Sequence, residues 1–342
     1  MENYANKHGF RSVNKLDLTH QHYLDDRLKK THILQSMSEN NILKSPTKID
    51  PVGIAFALLG AALFSLKPVL IKLLYAEGVQ TEIIIIWRMI ISLPIYVIIG
   101  YMVYRSRVGQ VKFTAKLLLQ TGLIGILGYY VATYFDLVGI QYISAQLERI
   151  VLFTYPTFVA ILGYIFYREK ISLKQFAAMI LAYIGIAIMF GNELNTVGDD
   201  ALKGGLWVLA AALAFACYML FQKSPIKVMG SRMFTSIAMV AASLAIFTHG
   251  AFSSGLEFTN ISLYVFWLSF VTAIICTVIP SYLLAEAVSR IGSGPTSISI
   301  GIGPIFTSIF AVLSLGESFT IYHLAGTILV IIGIYLLSQV KK

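Results

Sequence analysis

Ten apolar stretches, each about as long as the roughly 20 residues that cross a bilayer, follow residue 50. They lie at 53–75, 82–104, 117–138, 143–166, 173–190, 204–221, 233–249, 263–287, 295–314 and 321–340. The polar connections are mostly short, and those at 76–81 and 139–142 leave no room for a soluble domain. The pattern predicts an all-α integral membrane protein with ten transmembrane helices. Residues 1–50 hold no apolar run and mix Lys29, Lys30, Lys44 and Lys48 with Asp17, Asp25, Asp26 and Glu39. They are expected to form a polar, disordered cytoplasmic tail. No signal peptide is read there, and the acidic residues argue against a transit peptide. Met37 would open a more compact chain.

Sliding residues 133–190 along by 148 lays them without a gap on 281–338, with 13 of the 58 pairs identical. That is modest for an apolar alphabet. The coincidences that matter are not compositional: Pro156 on Pro304, Phe158 on Phe306, Glu169 on Glu317, and Ile184-Gly185-Ile186 on Ile332-Gly333-Ile334. The chain therefore reads as two repeats, 51–190 and 204–340. Five helices per repeat is an odd number, so the second runs in the opposite sense. Inverted repeats hold a substrate site near the midplane at their interface, and duplicated membrane proteins are most often transporters.

Charge sets the direction. The tail carries eight Lys or Arg, and alternate connections bring the total on that side to 21. The remaining connections hold one, Lys203. The positive-inside rule then puts both termini in the cytoplasm. Trp87, Trp207 and Trp267 fall in the outer part of their helices as an interfacial belt.

Composition narrows the class. With 57% hydrophobic and 13% charged residues, the chain is far below the quarter charged that a soluble domain needs. The net charge of +9 does not point to nucleic acid, because the basic residues sit in loops on one side. Cys217 and Cys276 lie in apolar runs and form no metal or disulfide pattern. No His-Glu-x-x-His occurs, most histidines are in the tail, and no aspartate pair lies at depth. An enzyme, a metal site and a cofactor are not expected. A channel usually repeats pore-lining loops, for which these connections are too short. The alternative to a transporter is a non-transporting membrane receptor or assembly factor.

The doubled pattern resembles the EamA-type repeat of the drug/metabolite transporter superfamily. The resemblance rests on Gly60-Ala61-Ala62-Leu63-Phe64-Ser65-Leu66-Lys67-Pro68, Trp87-Arg88, and Gln141-Tyr142-Ile143-Ser144-Ala145 leading to Pro156. Arg168-Glu169-Lys170-Ile171-Ser172 follows, and Gly316-Glu317-Ser318-Phe319 answers it with Gly326 and Gly333. It covers residues 53–340 and implies ten helices, cytoplasmic termini and export or exchange of a small metabolite or amino acid. A bacterial cytoplasmic (inner) membrane is the expected location. Proton coupling and oligomeric state stay open.

The candidate site comes from charge at depth. By axial rise, Lys67 lies roughly 4–5 Å outside the centre of its helix, Arg88 roughly 7–8 Å, and Glu148 and Arg149 roughly 9 Å. Asp136 and Glu286 lie at opposite headgroup edges, Asp136 roughly 13 Å out. Each charge costs about 2.5–3.5 kcal/mol at a helix centre, so Lys67, Arg88, Glu148 and Arg149 must face protein or water. Glu148 can neutralise only one of the three cations and Asp136 a second. At least one cation is left for a carboxylate or phosphate. Glu148 and Arg149 point about 100° apart and are expected to serve different neighbours. Pro156 and Pro304 are the expected helix hinges. Tyr130, Tyr134 and Tyr282 are the expected cavity lining, with Tyr129 beside them. Gly292, Gly294, Pro295, Gly301 and Gly303 make the ninth stretch the one most open to interruption.

Overall fold

A computed structural model describes residues 50–106, 113–168, 171–253, 261–291, 296 and 299–339. The tail before Asp50, Glu169, and Gly292, Gly294 and Pro295 lie outside the described residues. Within them every regular element is helical.

Each apolar run becomes a helix where a small polar residue can close its first turn, since lipid supplies no partner for an orphan N–H. Helix α1 (Pro51–Ser65) opens on Asp50, whose carboxylate accepts from Val52 N at 3.0 Å. After α2 (Lys67–Ala76) and α3 (Thr81–Ser106), Thr114 caps α4 (Ala115–Gly125) through Leu117 N at 3.2 Å. A π turn, Ile126–Val131, joins α4 to α5 (Ala132–Ile140). Helices α6 (Ala145–Leu152) and α7 (Tyr155–Tyr167) follow. Ser172 and Gln175 form a reciprocal capping box on α8 (Leu173–Val197).

The second part continues with α9 (Asp199–Phe221), α10 (Lys223–Met229) and α11 (Ser231–Ser253). Then come α12 (Leu263–Ala273), a π turn at Ile274–Val278 and α13 (Ile279–Ile291). The described chain ends with α14 (Gly303–Leu315) and α15 (Ile321–Gln339). Counted as continuous rods, eight helices among the described residues are long and apolar enough to cross a membrane, from Pro51–Ala76 to Leu263–Leu284. Gly303–Leu315 and Ile321–Gly333 are shorter apolar helices.

The interval of 148 residues recurs in the backbone. The π turns begin at Ile126 and Ile274, and α7 and α14 begin at Tyr155 and Gly303. Each of these helices ends on a left-handed residue, Arg168 at φ 54° and Gly316 at φ 66°. One feature is not repeated. The first span breaks at Leu66 and restarts at Lys67 with Pro68 in its first turn. Its counterpart α9, with Phe215 and Ala216 at the equivalent positions, runs unbroken.

The expected hinges take a definite place. Pro156 and Pro304 stand in the first turn of α7 and α14, just after breaks at Phe153-Thr154 and Ile302. A proline in a first turn removes no helical hydrogen bond, so the interruption lies in the residues before it.

The two sequence halves interleave. Helix α1 packs on α13, α3 on α11, α5 on α9 and α8 on α15, each pair joining one half to the other. Missing side chains permit the closest crossings. A Cβ on Gly185 would stand 2.7 Å from the Gly326 carbonyl oxygen, and one on Gly204 would stand 2.8 Å from that of Gly139. Large apolar side chains such as Leu119, Leu173 and Leu313 are exposed around the outside, as a lipid-facing surface requires.

Candidate functional site

Helix α1 ends where Ser65 turns its hydroxyl back onto the Ala61 carbonyl at 2.7 Å. The Ser65 carbonyl accepts from Thr307 Oγ1 of α14 at 3.0 Å, which ties the break in the first span to the start of α14. Lys67 then opens α2 facing inward. Its Nζ meets Asp136 Oδ2 of α5 at 2.7 Å and lies 5.8 Å from the Phe64 ring centre.

Glu148 and Arg149 on α6 join the same cluster. Arg149 donates to the Phe64 carbonyl at 3.3 Å and sits 5.3 Å from the Phe64 ring centre. The Glu148 carboxyl lies beside that of Asp136. With Arg88 on α3, five ionisable side chains gather, none more than 7% exposed.

Two expectations need correcting. Asp136 is not at the headgroup edge; it is buried against Lys67, because α5 runs on to Ile140 and the four-carbon lysine stem spans the remaining rise. Glu148 and Arg149 do not serve wholly different neighbours. Arg149 Nε lies 3.8 Å from Glu148 Oε2. Two long side chains on a buried short helix fold round to meet, because nothing else nearby neutralises either so cheaply.

The pairing leaves Arg88 over. Its guanidinium is 3% exposed, with Asp136, Tyr96 and Cys276 as electrostatic neighbours. It makes no ion pair or hydrogen bond among the described residues, and its Nε is buried without an acceptor. Asp136 Oδ1, both Glu148 carboxyl oxygens and Arg149 Nε likewise have no hydrogen-bond partner. Such orphan groups cost about 1–3 kcal/mol each, more when charged. A cluster of them at one place marks a site that something else completes.

The tyrosines divide. Tyr130 and Tyr134 line a cleft together with Glu82, Ile85, Ile86, Ile246, His249 and Gly250. Tyr282 is elsewhere, between α3, α11 and α13: its ring packs 5.8 Å from Tyr96 and its hydroxyl meets Ser236 Oγ at 3.3 Å. It is the counterpart of Tyr134 one repeat on, so similarity of sequence setting grouped residues from different places. Tyr129 pairs with Tyr218, hydroxyl to hydroxyl at 2.9 Å.

Two carboxylates that sequence reasoning did not place at the site hold α6 by its first turn. Glu193, at the end of α8, accepts from Ser144 N at 2.5 Å and Ser144 Oγ at 3.2 Å. Glu317 accepts from Ala145 N at 2.8 Å, Gln146 N at 3.4 Å and Gln146 Nε2 at 3.2 Å, and lies 4.0 Å from Lys72. The repeated Glu169/Glu317 position signalled that Glu317 mattered; nothing local signalled Glu193, which lies beyond the apolar stretch. A carboxylate on helix N–H groups satisfies the dipole and the orphan donors together. Glu317→Ala is expected to cost about 1–2 kcal/mol. That loss should lower the thermal unfolding midpoint of the purified protein, with Glu317→Gln keeping part of the loss at bay.

A bundle of apolar, membrane-length helices around a buried and incompletely paired charge cluster defines a multi-pass membrane protein with an interior polar site. The EamA-like transporter family matches residues 51–191 and again 202–339, and the chain belongs to that family. It is 25% identical over 280 residues to the "Uncharacterized transporter YcbK" of Bacillus subtilis (strain 168), covering 80% of this chain and 88% of that protein. An "Uncharacterized transporter" of Clostridium kluyveri is 25% identical over 291 residues, 82% of this chain and 91% of that protein. A protein of known crystal structure shares the fold with a TM-score of 0.57 at 14% identity, over 83% of this chain and 95% of that one.

Proposed function

We propose that the chain carries a small anionic metabolite, a carboxylate or a phosphate, across the bacterial cytoplasmic membrane by export or exchange. The observation that carries this reading is the buried Arg88 guanidinium without a protein partner. Arginine stays protonated in any plausible site and presents a planar fork of donors that suits both groups. Lys67, Arg88 and Arg149 against Asp136 and Glu148 leave one positive charge in excess, which an anion would balance. Arg88 makes the direct contact, while Lys67, Glu148 and Arg149 frame it. The two repeats, 51–190 and 204–340, act as inverted five-helix units, ten helices in all, that expose the site alternately to either side. The breaks before Pro156 and Pro304 are where they flex.

The reading is tested by counterflow in reconstituted vesicles, using a panel of monocarboxylates, sugar phosphates and amino acids. Saturable, trans-stimulated flux of an anionic member is the expected result. No trans-stimulated flux of any anion would remove the reading.

Orientation has its own test. With both termini cytoplasmic and residues 1–50 a cytoplasmic tail, an impermeant thiol reagent on intact cells should modify Gly198→Cys and Gly255→Cys and spare Gln110→Cys. Labelling at 110 with protection at 198 would reverse the topology.

A further inference from the structure

A second polar site lies in the cleft between α3 and α5 of the first repeat and α11 of the second. Its lining combines one carboxylate, Glu82, with the rings of Tyr130, Tyr134 and His249 over a floor of Ile85, Ile86 and Ile246. The open space, mouth included, is about 190 Å³. The rings stand around one another: Tyr134 meets His249 edge-on at 5.4 Å, Tyr130 lies 5.8 Å from His249, and the two tyrosines are 6.3 Å apart. Neither Lys nor Arg is among the lining residues, although the chain as a whole carries a net charge of +9.

We propose that this cleft is a recognition site for an organic ammonium group. Glu82 supplies the counter-charge and Tyr130 and Tyr134 supply aromatic faces. Tyr134 donates its hydroxyl to Glu82 Oε1 at 3.0 Å, which fixes the carboxylate and leaves Oε2 without a bond inside the chain. An ammonium N–H donating to Oε2 gains a charge-assisted hydrogen bond. Its carbon-bound face gains cation–π attraction from the rings. An anion would meet Glu82 with like charge. A divalent metal would need several hard oxygen ligands, and among the described residues no group of three or more His, Cys, Asp or Glu is placed to hold one.

The position matters as well. A Cβ on Gly250 would come within 2.4 Å of Ile86 Cδ1, so α11 reaches α3 at the floor of the cleft without a side chain between them. A ligand seated there touches both repeats and is sensitive to movement of one against the other. Arg88 lies six residues further along α3, roughly 9 Å by axial rise, so the two sites are separate and neither reading depends on the other.

The test uses the purified full-length chain and n-butylammonium chloride as probe, with binding read from the thermal unfolding midpoint. n-Butanol controls for the apolar tail and sodium chloride for ionic strength. A saturable rise with n-butylammonium alone is expected. In Glu82→Gln the apparent affinity should fall on the order of tenfold, while folding persists because the glutamine carbonyl can still accept from Tyr134. Glu82→Asp, which withdraws the carboxylate by one methylene, and Tyr130→Ala should each weaken binding severalfold. Arg88→Gln should bind the probe normally whether or not it still transports an anion. An unchanged response in Glu82→Gln, or a wild-type response equal to that of n-butanol or sodium chloride, would overturn the proposal.

Discussion

Arg88→Gln should abolish counterflow of the anionic substrate and leave the protein as stable as before, or more so. The two effects have opposite signs, and that is what makes the result decisive. A buried charge with a partner is destabilising to remove, because the partner is left alone. Arg88 has no ion-pair or hydrogen-bond partner among the described residues, so its removal strands nothing. It relieves an insertion cost of about 2.5–3.5 kcal/mol on biological scales. Binding should suffer in the other direction. A bidentate, charge-assisted contact is worth enough that its loss lowers affinity on the order of a hundredfold or more. Arg88→Lys keeps the charge and loses the fork, and about a tenfold loss is expected. Flux at fixed protein in vesicles and the unfolding midpoint in detergent are the two measurements. Normal transport by folded Arg88→Gln would remove Arg88 from the site. Loss of folded protein would make it a structural residue.

The parts of the fold that the sequence displayed are those set by solvent and by duplication. Lipid leaves a spanning segment no choice but helix, so the apolar stretches from 53–75 to 263–287 reappear as spans with ends moved by a few residues. The shift of 148 was visible because Pro156/Pro304, Glu169/Glu317 and Gly185/Gly333 are residues that an apolar background does not scatter by chance. The same shift proved to govern π turns and left-handed helix ends, which no residue pattern announces. The break at Leu66 had a local sign in Pro68. Why α9 stays whole is equally local: Ala216 replaces that proline.

The site was legible as an inventory and not as a set of pairs. Depth along a helix axis put Lys67, Arg88, Glu148 and Arg149 together, but helix tilt and side-chain reach decided that Asp136, 69 residues away from Lys67 in the chain, would be its partner. Axial arithmetic ignores both, and it placed Asp136 too far out. Glu82 was passed over for a related reason. It stands in the first turn of α3, where an acidic residue has an ordinary explanation in the helix dipole. Only the arrival of Tyr130, Tyr134 and His249 from other helices gives it a second one.

Lys67→Met should produce the largest loss of folded protein of any single change in the cluster. The Lys67–Asp136 pair is short, at 2.7 Å, and nearly enclosed, with side chains 8% and 7% exposed. Removing the lysine leaves Asp136 beside Glu148 with two unneutralised carboxyl groups and only Arg149 close by. Breaking a buried pair from one side costs about 3–5 kcal/mol, a large share of the 5–15 kcal/mol that typically holds a domain. Asp136→Leu alone should also destabilise, since Lys67 then adds to an excess of positive charge. The double change Lys67→Met with Asp136→Leu removes both charges and fills the space with apolar atoms, which is often neutral for a buried pair. Its unfolding midpoint should return close to that of the parent. The mutant cycle gives the coupling between the two residues directly. Flux separates their roles. With Lys67 committed to Asp136 and Arg88 making the contact with the anion, transport by the double variant should recover in step with folded protein and still be abolished by Arg88→Gln. Recovery of stability without recovery of flux would move Lys67 from the frame of the site into direct contact with the substrate.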